Sequence, residues 1–397
     1  MLGISDLANN IVILRKYVKK SKIHLINFPW EGKGETIDVK EGVEFFDSLK
    51  TSRQVKKINE IKENFDVCIV VSPAGARIAY LADLNYIWYF VGDAIRTPLF
   101  VKNAKDPTLK EPYYNLNFLE RRFYKSVYDN AVACVAWGEE LSNCLKKHRK
   151  DGIRMDRMGV DTTIFNESVK PVDRKKEKFT FFSPQRIGLP KGYDIIWKAL
   201  PLCKSDFELL QVEWYDMKTA EERRNSKQFL ETKPPQVKLI PMMKREEVAK
   251  YYAFADAVIG QMRIGLGAAV EREAALCKKP VLQYSDPNMK YVIDGKEVSD
   301  PFLPKSRDPQ KLAELIDKIV ESKDFRDKLA KEEHNFVKEL ADPNKAAAEW
   351  DNLFEDMFKK YGSIKKNSSH LRIRFRILFF LFANRLHFKK LKNKLKL

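Results

Sequence analysis

The chain has 397 residues, of which 44% are hydrophobic, 12% aromatic and 32% charged. This composition is typical of a globular protein and excludes collagen-like, wholly disordered and disulfide-stapled chains, and the length allows two to three domains of ~100–200 residues each. The formal net charge is +18, but thirteen of the 73 basic residues follow Asp356, the last acidic residue, so the other 60 nearly balance the 55 acidic residues. The excess charge therefore belongs to the C-terminal segment.

The N-terminal half alternates apolar, β-branched runs with stretches of helical periodicity. The run FDVCIVV over 65–71 is apolar throughout, as in a strand that a parallel sheet buries on both faces. Strands are predicted over 24–28, 65–71, 86–91 and 131–136, and helices over 6–19, after Ser72 and over 116–128. The first helix begins so early that the preceding strand is expected to be missing or truncated. This alternation predicts βαβ units in a doubly wound sheet.

The C-terminal half repeats the alternation after a polar, proline-containing linker at 166–178. Strands are predicted over 179–182, 208–213, 237–241, 257–260 and 280–284, helices over 194–200, 245–254 and 268–277, and amphipathic helix over 311–358. We expect two Rossmann-like α/β domains, 1–165 and 179–340, then a helix at 341–362 that returns to the N-terminal domain and a basic tail at 363–397. Nucleotide sites in such folds lie at the carboxyl ends of strands, here in the cleft between domains.

Two basic residues mark the start of the second domain. Arg186 and Lys191 lie in FFSPQRIGLPKGYDIIW, on the loop between a predicted strand and a predicted helix. Two cations beside the backbone N–H groups of a helix N-terminus suit a diphosphate. The alternative is that both are ordinary solvated surface charges.

A glycine loop follows in the segment FADAVIGQMRIGLGAAVEREAALCKKPVLQ. Gly265 and Gly267 would let a ligand approach the backbone closely. Glu273 lies on the apolar side of the next predicted helix, where a carboxylate needs a partner, and the two hydroxyls of a ribose would suit it. The alternative is an ion pair between Glu273 and Arg272 or Lys279.

Taken in order, these motifs resemble those of the retaining GT-B glycosyltransferases of family four, the glycosyl transferases group 1. The resemblance rests on R-x4-K-G at 186–192, the glycine loop, and E-A-x-x-x-x-K-P-V at 273–281. MGVDTTIF at 158–165 is similar to the family's signature at the domain junction, and the segment from Leu116 to Lys147 is similar to an N-terminal stretch. The resemblance covers roughly residues 3–360.

The resemblance implies a role for each of these motifs. Arg186 and Lys191 would bind the diphosphate of the sugar donor and stabilise the leaving nucleotide. Glu273 would hold the ribose, and the donor sugar or phosphate would face a stretch of loop backbone formed by Gly265, Leu266, Gly267 and Ala268. Family members transfer a sugar from a UDP- or GDP-sugar, with retention, to a glycan or lipid-linked acceptor. No D-x-D motif or cluster with metal-ligand spacing occurs in the sequence, so we expect neither a metal nor a tightly bound cofactor.

The sequence departs from the family pattern on the sugar-binding side. Gly265 stands where the family's loop begins with Glu, and Val91 stands where many members carry His, followed here by Gly92. Asp93 is our candidate catalytic residue there, although an Asp after a strand is also a common helix cap or turn residue. Departures of this kind leave two alternatives to a transferase open. The chain could be a catalytically silent GT-B protein that binds nucleotide or glycan in a synthesis complex, or a nucleotide-sugar epimerase-like enzyme.

The acceptor side has three further candidates. The N-terminal glycine loop of the family is shortened here to Gly-Ile-Ser-Asp, in which Gly3 and Ser5 are the candidates. The third candidate is Arg96, three residues after Asp93. A contact with the acceptor is the role that the resemblance implies for them.

The basic tail contains HLRIRFRILFFLFANRLHFKKLKNKLKL, in which cations surround the apolar run 377–383. As a helix it would place Phe and Leu at the headgroup boundary and its cations against anionic lipid. Binding of nucleic acid would explain the charge but not the apolar run, so we expect no specific nucleic acid, and a tail without a role is the third possibility. Scattered cysteines, the lack of a signal peptide and the lack of a spanning segment predict a cytoplasmic protein, peripheral on the inner face of the cell membrane.

Overall fold

A computed structural model describes residues 1–6, 9–29, 42–112, 114–217, 219–362, 364 and 370–394. Within these residues the first sheet contains seven parallel strands: β1 (Leu2–Ile4), β2 (His24–Asn27), β3 (Val43–Phe45), β4 (Cys68–Val70), β5 (Tyr86–Phe90), β6 (Ala133–Trp137) and β7 (Ile153–Met155). Its helices are α1 (Asn10–Tyr17), α2 (Thr51–Ile61), α3 (Pro73–Leu81), α4 (Asp93–Arg96), α5 (Phe118–Asp129) and α6 (Gly138–Lys146). The predicted alternation of strands and helices is confirmed.

The strand order of this sheet is β3-β2-β1-β4-β5-β6-β7. The chain reverses direction across the sheet between β1 and β4, which is where parallel α/β sheets open a crevice at their carboxyl ends. The first strand is short, as expected, because β1 has three residues. It forms nevertheless, since it pairs with β2 on one side and β4 on the other, and Leu2 and Ile4 are fully buried.

The second sheet repeats the same order with five parallel strands in the described part of the chain. These are β8 (Phe179–Ser183), β9 (Phe207–Val212), β10 (Val237–Ile240), β11 (Ala257–Ile259) and β12 (Val281–Leu282), arranged β10-β9-β8-β11-β12. Between them lie α7 (Tyr193–Ala199), α8 (Ala220–Glu231), α9 (Arg245–Phe254) and α10 (Ala269–Leu276). The switch point here is between β8 and β11, so the loops after these two strands line the second crevice.

After the second sheet, the described residues form an antiparallel hairpin and four helices. The hairpin joins β13 (Tyr291–Ile293) to β14 (Lys296–Val298), and the helices are α11 (Pro309–Glu321), α12 (Lys323–Leu340), α13 (Pro343–Tyr361) and α14 (His370–Lys394). Helix α13 packs against the first sheet, where the Trp350 ring lies 4.8 Å from that of Tyr89. The Asp351 carboxylate accepts hydrogen bonds from the backbone N–H groups of Lys19 and Lys20 at the end of α1.

Helix α14 packs against α3 and α5 in the first sheet's helical layer. Arg376 and Asp83 form a buried ion pair at 2.6 Å. The Phe380 ring lies 5.0 Å from that of Phe123, and Asn117 donates a hydrogen bond to the Ala383 carbonyl at 3.0 Å. One face of the helix is therefore fixed to the body of the protein, which the basic and apolar pattern of the sequence did not reveal. Among the described residues, no helix is long and apolar enough to span a membrane.

The buried ion pair gives a test of this docking. Asp83→Ala leaves the Arg376 guanidinium buried without its counter-charge, which costs about 3–5 kcal/mol in such sites. Undocking of α14 returns Arg376 to water, so we expect faster hydrogen exchange of the α14 amides at little cost to the two sheets. Asp129→Ala is the control, because Asp129 pairs with Lys125 in an exposed site. Unchanged protection of α14 in Asp83→Ala would show that the pair does not hold the helix.

Candidate functional site

The carboxyl ends of the two sheets face each other across a cleft. The Arg272 guanidinium on α10 lies 4.7 Å from the ring of Trp137, the last residue of β6. Leu266, on the loop after β11, packs so closely on Gly138 that its Cδ1 would lie 3.3 Å from a β-carbon there. The loops that follow β8 and β11 therefore meet the loops of the first sheet, and the predicted site residues lie on both sides of this meeting.

Arg186 projects from the loop after β8 and is held by residues that follow β9. Its Nη1 lies 2.7 Å from the buried Asp216 carboxylate, and its guanidinium stacks on the Trp214 ring at 5.4 Å from the centroid. Gly188 is required beneath this pair, because a β-carbon there would overlap the Asp216 carboxylate. The alternative that Arg186 is an ordinary solvated charge is therefore wrong, since the protein fixes its position with an ion pair and an aromatic surface.

Lys191 lies close to Arg186 and lacks a partner of its own. It ends a turn that Gly192 closes with a φ of 79°, and a β-carbon at Gly192 would overlap Met262. In the part of the chain that the structure describes, no hydrogen bond or ion pair engages its ammonium group. Burial lowers the pKa of Lys191, and the neighbouring Arg186 lowers it further. Glu271 and Asp216 oppose this shift, but neither forms an ion pair with Lys191 among the described residues, so its ammonium N–H groups are available to an anion.

Arg96 brings a third cation to the cleft from the first sheet. It lies on α4 of the first half and contributes to the lowered pKa of Lys191, so the two cations are close enough to repel each other. Its Nη2 and Nε bind the Glu140 carboxylate at 2.7 and 2.9 Å, and its Nη1 lies 3.5 Å from Asp93. Asp93 is the first residue of α4, so the catalytic candidate and the acceptor-side candidate Arg96 lie on one short helix, one turn apart.

The other acceptor-side candidates lie deeper in the first sheet. Gly3 lies inside β1, where a β-carbon would approach Leu25 to 3.1 Å, so its small size serves packing. Ser5 follows β1 with a φ of 69° and is fully buried, with its hydroxyl bonded to that of Ser72. Neither position presents a side chain at the surface of the cleft.

The glycine loop after β11 is tied together by its own side chains. The Gln261 carboxamide accepts hydrogen bonds from the Arg263 and Ile264 amides and donates one to the Leu266 carbonyl. Gly265 has a φ of 86° and packs on Asp286, which explains a glycine where the family pattern has Glu.

Two amides of this loop already have acceptors in the protein. The Gly267 N–H donates to the Tyr291 hydroxyl at 2.8 Å, and the Ala268 N–H donates to the Glu271 carboxylate at 2.8 Å. Leu266, which precedes them, is buried. A ligand contact through either amide would require Tyr291 or Glu271 to move, so the predicted contact with the sugar donor remains a prediction.

Glu273 is buried on α10 and forms an ion pair with Arg245, which comes from α9. The Arg245 guanidinium in turn lies 4.9 Å from the Phe165 ring, and the Tyr252 hydroxyl is 3.4 Å from the second Glu273 oxygen. Burial raises the pKa of Glu273 although Arg245 opposes this shift. The alternative partners Arg272 and Lys279 are therefore wrong, while the ribose role stays a prediction.

Several residues of the cleft were not predicted from the sequence: Trp214, Asp216, Glu140, Glu271, Arg272 and Tyr291. Trp214 and Asp216 directly follow a predicted strand, so the rule that sites lie at the carboxyl ends of strands would have found them. Arg272 carries no such signal. It is fully buried and donates to the Ala268 carbonyl at 3.1 Å, so it links the glycine loop to Trp137 across the cleft.

A reciprocal pair of carboxylates joins the two halves beside Asp216. Glu221 on α8 accepts hydrogen bonds from the backbone N–H groups of Lys110 and Glu111, at 2.8 and 2.7 Å. Glu111 accepts in return from the Glu221 N–H at 3.3 Å and from Arg224 at 3.0 Å. Burial favours the protonated form of Glu221, but the two amides outweigh it and lower its pKa. The loop that carries Lys110 and Glu111 is thereby fixed to the half that carries Arg186.

Among the described residues, no group of three or more His, Cys, Asp or Glu side chains could hold a metal ion. The cations described at this cleft are Arg186, Lys191 and Arg96, of which Arg96 is paired with Glu140 and Arg186 with Asp216. Whether the reaction proceeds without a metal remains a prediction.

Comparison with known proteins gives a family match and a fold. Residues 165–336 match the family model described as glycosyl transferases group 1. No curated protein matches the chain significantly. Sucrose-phosphate synthase from Thermosynechococcus elongatus superposes with a TM-score of 0.66 at 14% identity, over 90% of this chain and 99% of that one.

Two further solved structures are similar over almost their whole length. HepE from Anabaena, solved in complex with UDP-glucose, gives a TM-score of 0.64 at 15% identity over 89% of this chain and 99% of its own. A glycosyltransferase from Rickettsia africae gives 0.60 at 17% identity over 90% and 98%. The predicted fold is confirmed: the chain has the GT-B fold of two Rossmann-like halves.

The contact between Glu111 and Glu221 gives a second test. Glu221→Ala removes the acceptor of two charge-assisted hydrogen bonds, so the amides of Lys110 and Glu111 should exchange at least tenfold faster with solvent deuterium. Glu231→Ala, at the far end of the same helix and in an exposed pair with Lys227, should leave them unchanged. Equal exchange in the two variants would mean that this contact does not hold the cleft closed.

Proposed function

We propose that the protein is a glycosyltransferase that moves a sugar from a nucleotide-sugar donor to a glycan or lipid-linked acceptor. The observation that carries the proposal is the pair Arg186 and Lys191, two adjacent cations of which one has no protein partner among the described residues. They lie at the switch point of the half of the chain that matches the glycosyltransferase family model. A nucleoside diphosphate is the anion that fits such a place.

The chemistry assigned to these residues follows from where charge develops. In the transfer, the bond between the anomeric carbon and the β-phosphate oxygen breaks, and negative charge grows on the leaving diphosphate. Arg186, oriented by Asp216 and Trp214, and Lys191 would stabilise that charge in a half-buried cleft, where electrostatic interactions are stronger than in water. We further propose that the transfer retains configuration and needs no metal, as the resemblance implies.

The remaining candidates divide between the two substrates. For the sugar donor we propose Glu273 at the ribose, which would share its carboxylate between Arg245 and the sugar hydroxyls, and the backbone of 265–268 at the donor sugar or phosphate. For the acceptor side we propose Arg96, with Gly3 and Ser5 supporting that wall, and we propose Asp93, one turn from Arg96 on α4, as a catalytic residue. UDP and GDP are both candidates for the nucleotide, and UDP is to be tried first because HepE was solved with UDP-glucose.

A membrane location completes the proposal. The excess charge of the chain lies in residues 359–397, which include no acidic residue. We propose that residues 363–397 contact the anionic inner face of the cell membrane, which would bring the cleft close to a lipid-linked acceptor.

A second candidate is a catalytically silent GT-B protein that binds nucleotide. Gly265 in place of the family's Glu and the occupied amides of Gly267 and Ala268 favour it. Release of UDP from UDP-glucose, measured alongside binding, separates the two: an enzyme turns the sugar donor over, with acceptor or slowly with water, and a silent protein binds without turnover.

The binding assignment is tested most cleanly at Lys191. Lys191→Met leaves no buried carboxylate without its partner, so the fold should persist while one charge-assisted contact to the diphosphate is lost. Such a contact is worth about 1.5–3 kcal/mol, or roughly 10–150-fold in the Kd for UDP or GDP. Calorimetric titration of the full chain measures it, and Lys198→Met on the exposed side of α7 is the control. Equal affinity in wild type and Lys191→Met would remove Lys191 from the site.

The lowered pKa of Lys191 predicts a link between binding and protons. A diphosphate stabilises the ammonium form, so the pKa rises on binding, and protons are taken up at alkaline pH between the pKa values of the free and bound states. Affinity should therefore fall as pH rises through the lowered pKa of the free protein. Titrations in two buffers of different ionisation enthalpy measure the uptake. Lys191→Arg, which stays charged, should abolish it, and uptake that persists in this variant would assign the proton to another group.

A further inference from the structure

Helix α14 is apolar on two opposite faces, and only one of them is covered in the part of the chain that the structure describes. Arg376, Phe380 and Ala383 lie on the covered face. Five large apolar side chains are exposed instead: Leu371 (78%), Phe375 (70%), Leu378 (64%), Leu381 (50%) and Phe382 (56%). At 100° per residue, four of them, at 371, 375, 378 and 382, fall within about 60° of each other around the helix axis.

Helix α5, on which α14 packs, carries a further exposed apolar residue. Asn117 donates its hydrogen bond to the Ala383 carbonyl, and the next residue, Phe118, is 63% exposed. The four residues at 371, 375, 378 and 382 form a contiguous exposed stripe on α14 by helical spacing. Contiguous apolar surface of this kind marks an interaction site, whereas single exposed apolar residues do not.

The charges on this face of α14 indicate what kind of surface it binds. Arg374 and Arg385 are exposed and lie on the same side of the helix as Leu378 by helical spacing, and α14 contains no acidic residue. A face that combines large apolar side chains with cations alone suits the boundary between acyl chains and anionic headgroups, where arginine reaches the phosphates while its neighbours enter the apolar layer. A second copy of the same face would instead bring like charges together.

We propose that the exposed face of α14 lies in the headgroup layer of an anionic bilayer while the opposite face stays docked on α3 and α5. The inference deepens the membrane contact in our proposed function and rests on it. It adds which residues enter the lipid and how the protein is oriented on the bilayer. Because Arg376 and Asp83 hold the helix on the first half of the protein, lipid contact through α14 turns that half toward the bilayer.

The test is co-sedimentation of the full chain with vesicles of phosphatidylcholine alone and with 30% phosphatidylglycerol added, in wild type and in the double variant Phe375→Glu, Leu378→Glu. We expect binding to the anionic vesicles and at least a tenfold loss in the variant. Leu202→Glu with Leu230→Glu is the matched control, because both residues are about half exposed in the second half of the chain. The control should bind as wild type does.

Three results would overturn the proposal. Wild type could fail to bind anionic vesicles, or the double variant could bind them as wild type does. Alternatively, wild type could self-associate in ultracentrifugation and the double variant become monomeric without any vesicle binding, in which case the face joins two copies. Hydrogen exchange of α14 and UDP or GDP affinity are measured on the same variants. Retained protection shows that α14 is still docked, and nucleotide affinity reports on the cleft independently of the lipid.

Discussion

The ion pair between Arg186 and Asp216 fixes a cation at the switch point of the second sheet. A guanidinium beside a second cation, Lys191, is stable in a half-buried place only when carboxylates compensate part of the charge; Asp216 binds Arg186 directly, and Glu271 and Asp216 both act electrostatically on Lys191. The stacking of Arg186 on Trp214 keeps the guanidinium plane fixed before any ligand arrives. In the proposed function, an incoming diphosphate would meet oriented cations and little free energy would go into ordering them, which is the physical basis of an electrostatic site.

The same cleft depends on contacts that join its two halves. Arg272 donates to the carbonyl of Ala268 and stacks on Trp137, so the position of the glycine loop is tied to the first sheet. Glu221 and Glu111 make a second connection at the side of the cleft near Asp216. In the proposed function the cleft admits and releases a nucleotide, which would require these contacts to break and form again in each cycle. Hydrogen bonds to carboxylates suit that requirement better than a large apolar interface would.

The sequence predicted the strands better than the partners of the site residues. Strands buried on both faces are continuous apolar runs, so β4 and β6 were evident, whereas the polar helix α8 has little apolar periodicity and depends on its capping box at Thr219. Arg186 could be selected because its loop follows a strand. Its counter-ion Asp216 is thirty residues later, and the pairing of Glu273 with Arg245 depends on how α9 packs on α10. Such pairings are set by tertiary packing, which a single sequence does not encode as a local pattern.

Helix α14 illustrates the same limit and also its consequence. A helix with one apolar face shows a clear periodicity, but a helix that is apolar on two opposite faces does not, since the two sides cancel. The sequence therefore suggested one amphipathic surface where the structure has two: Phe380 faces the protein and Phe375 faces outward. The buried ion pair of Arg376 with Asp83 determines which face is docked. A buried guanidinium is tolerated only where a carboxylate compensates its charge. Because this ion pair holds one face of α14 against the protein, it also determines which face of the helix stays exposed.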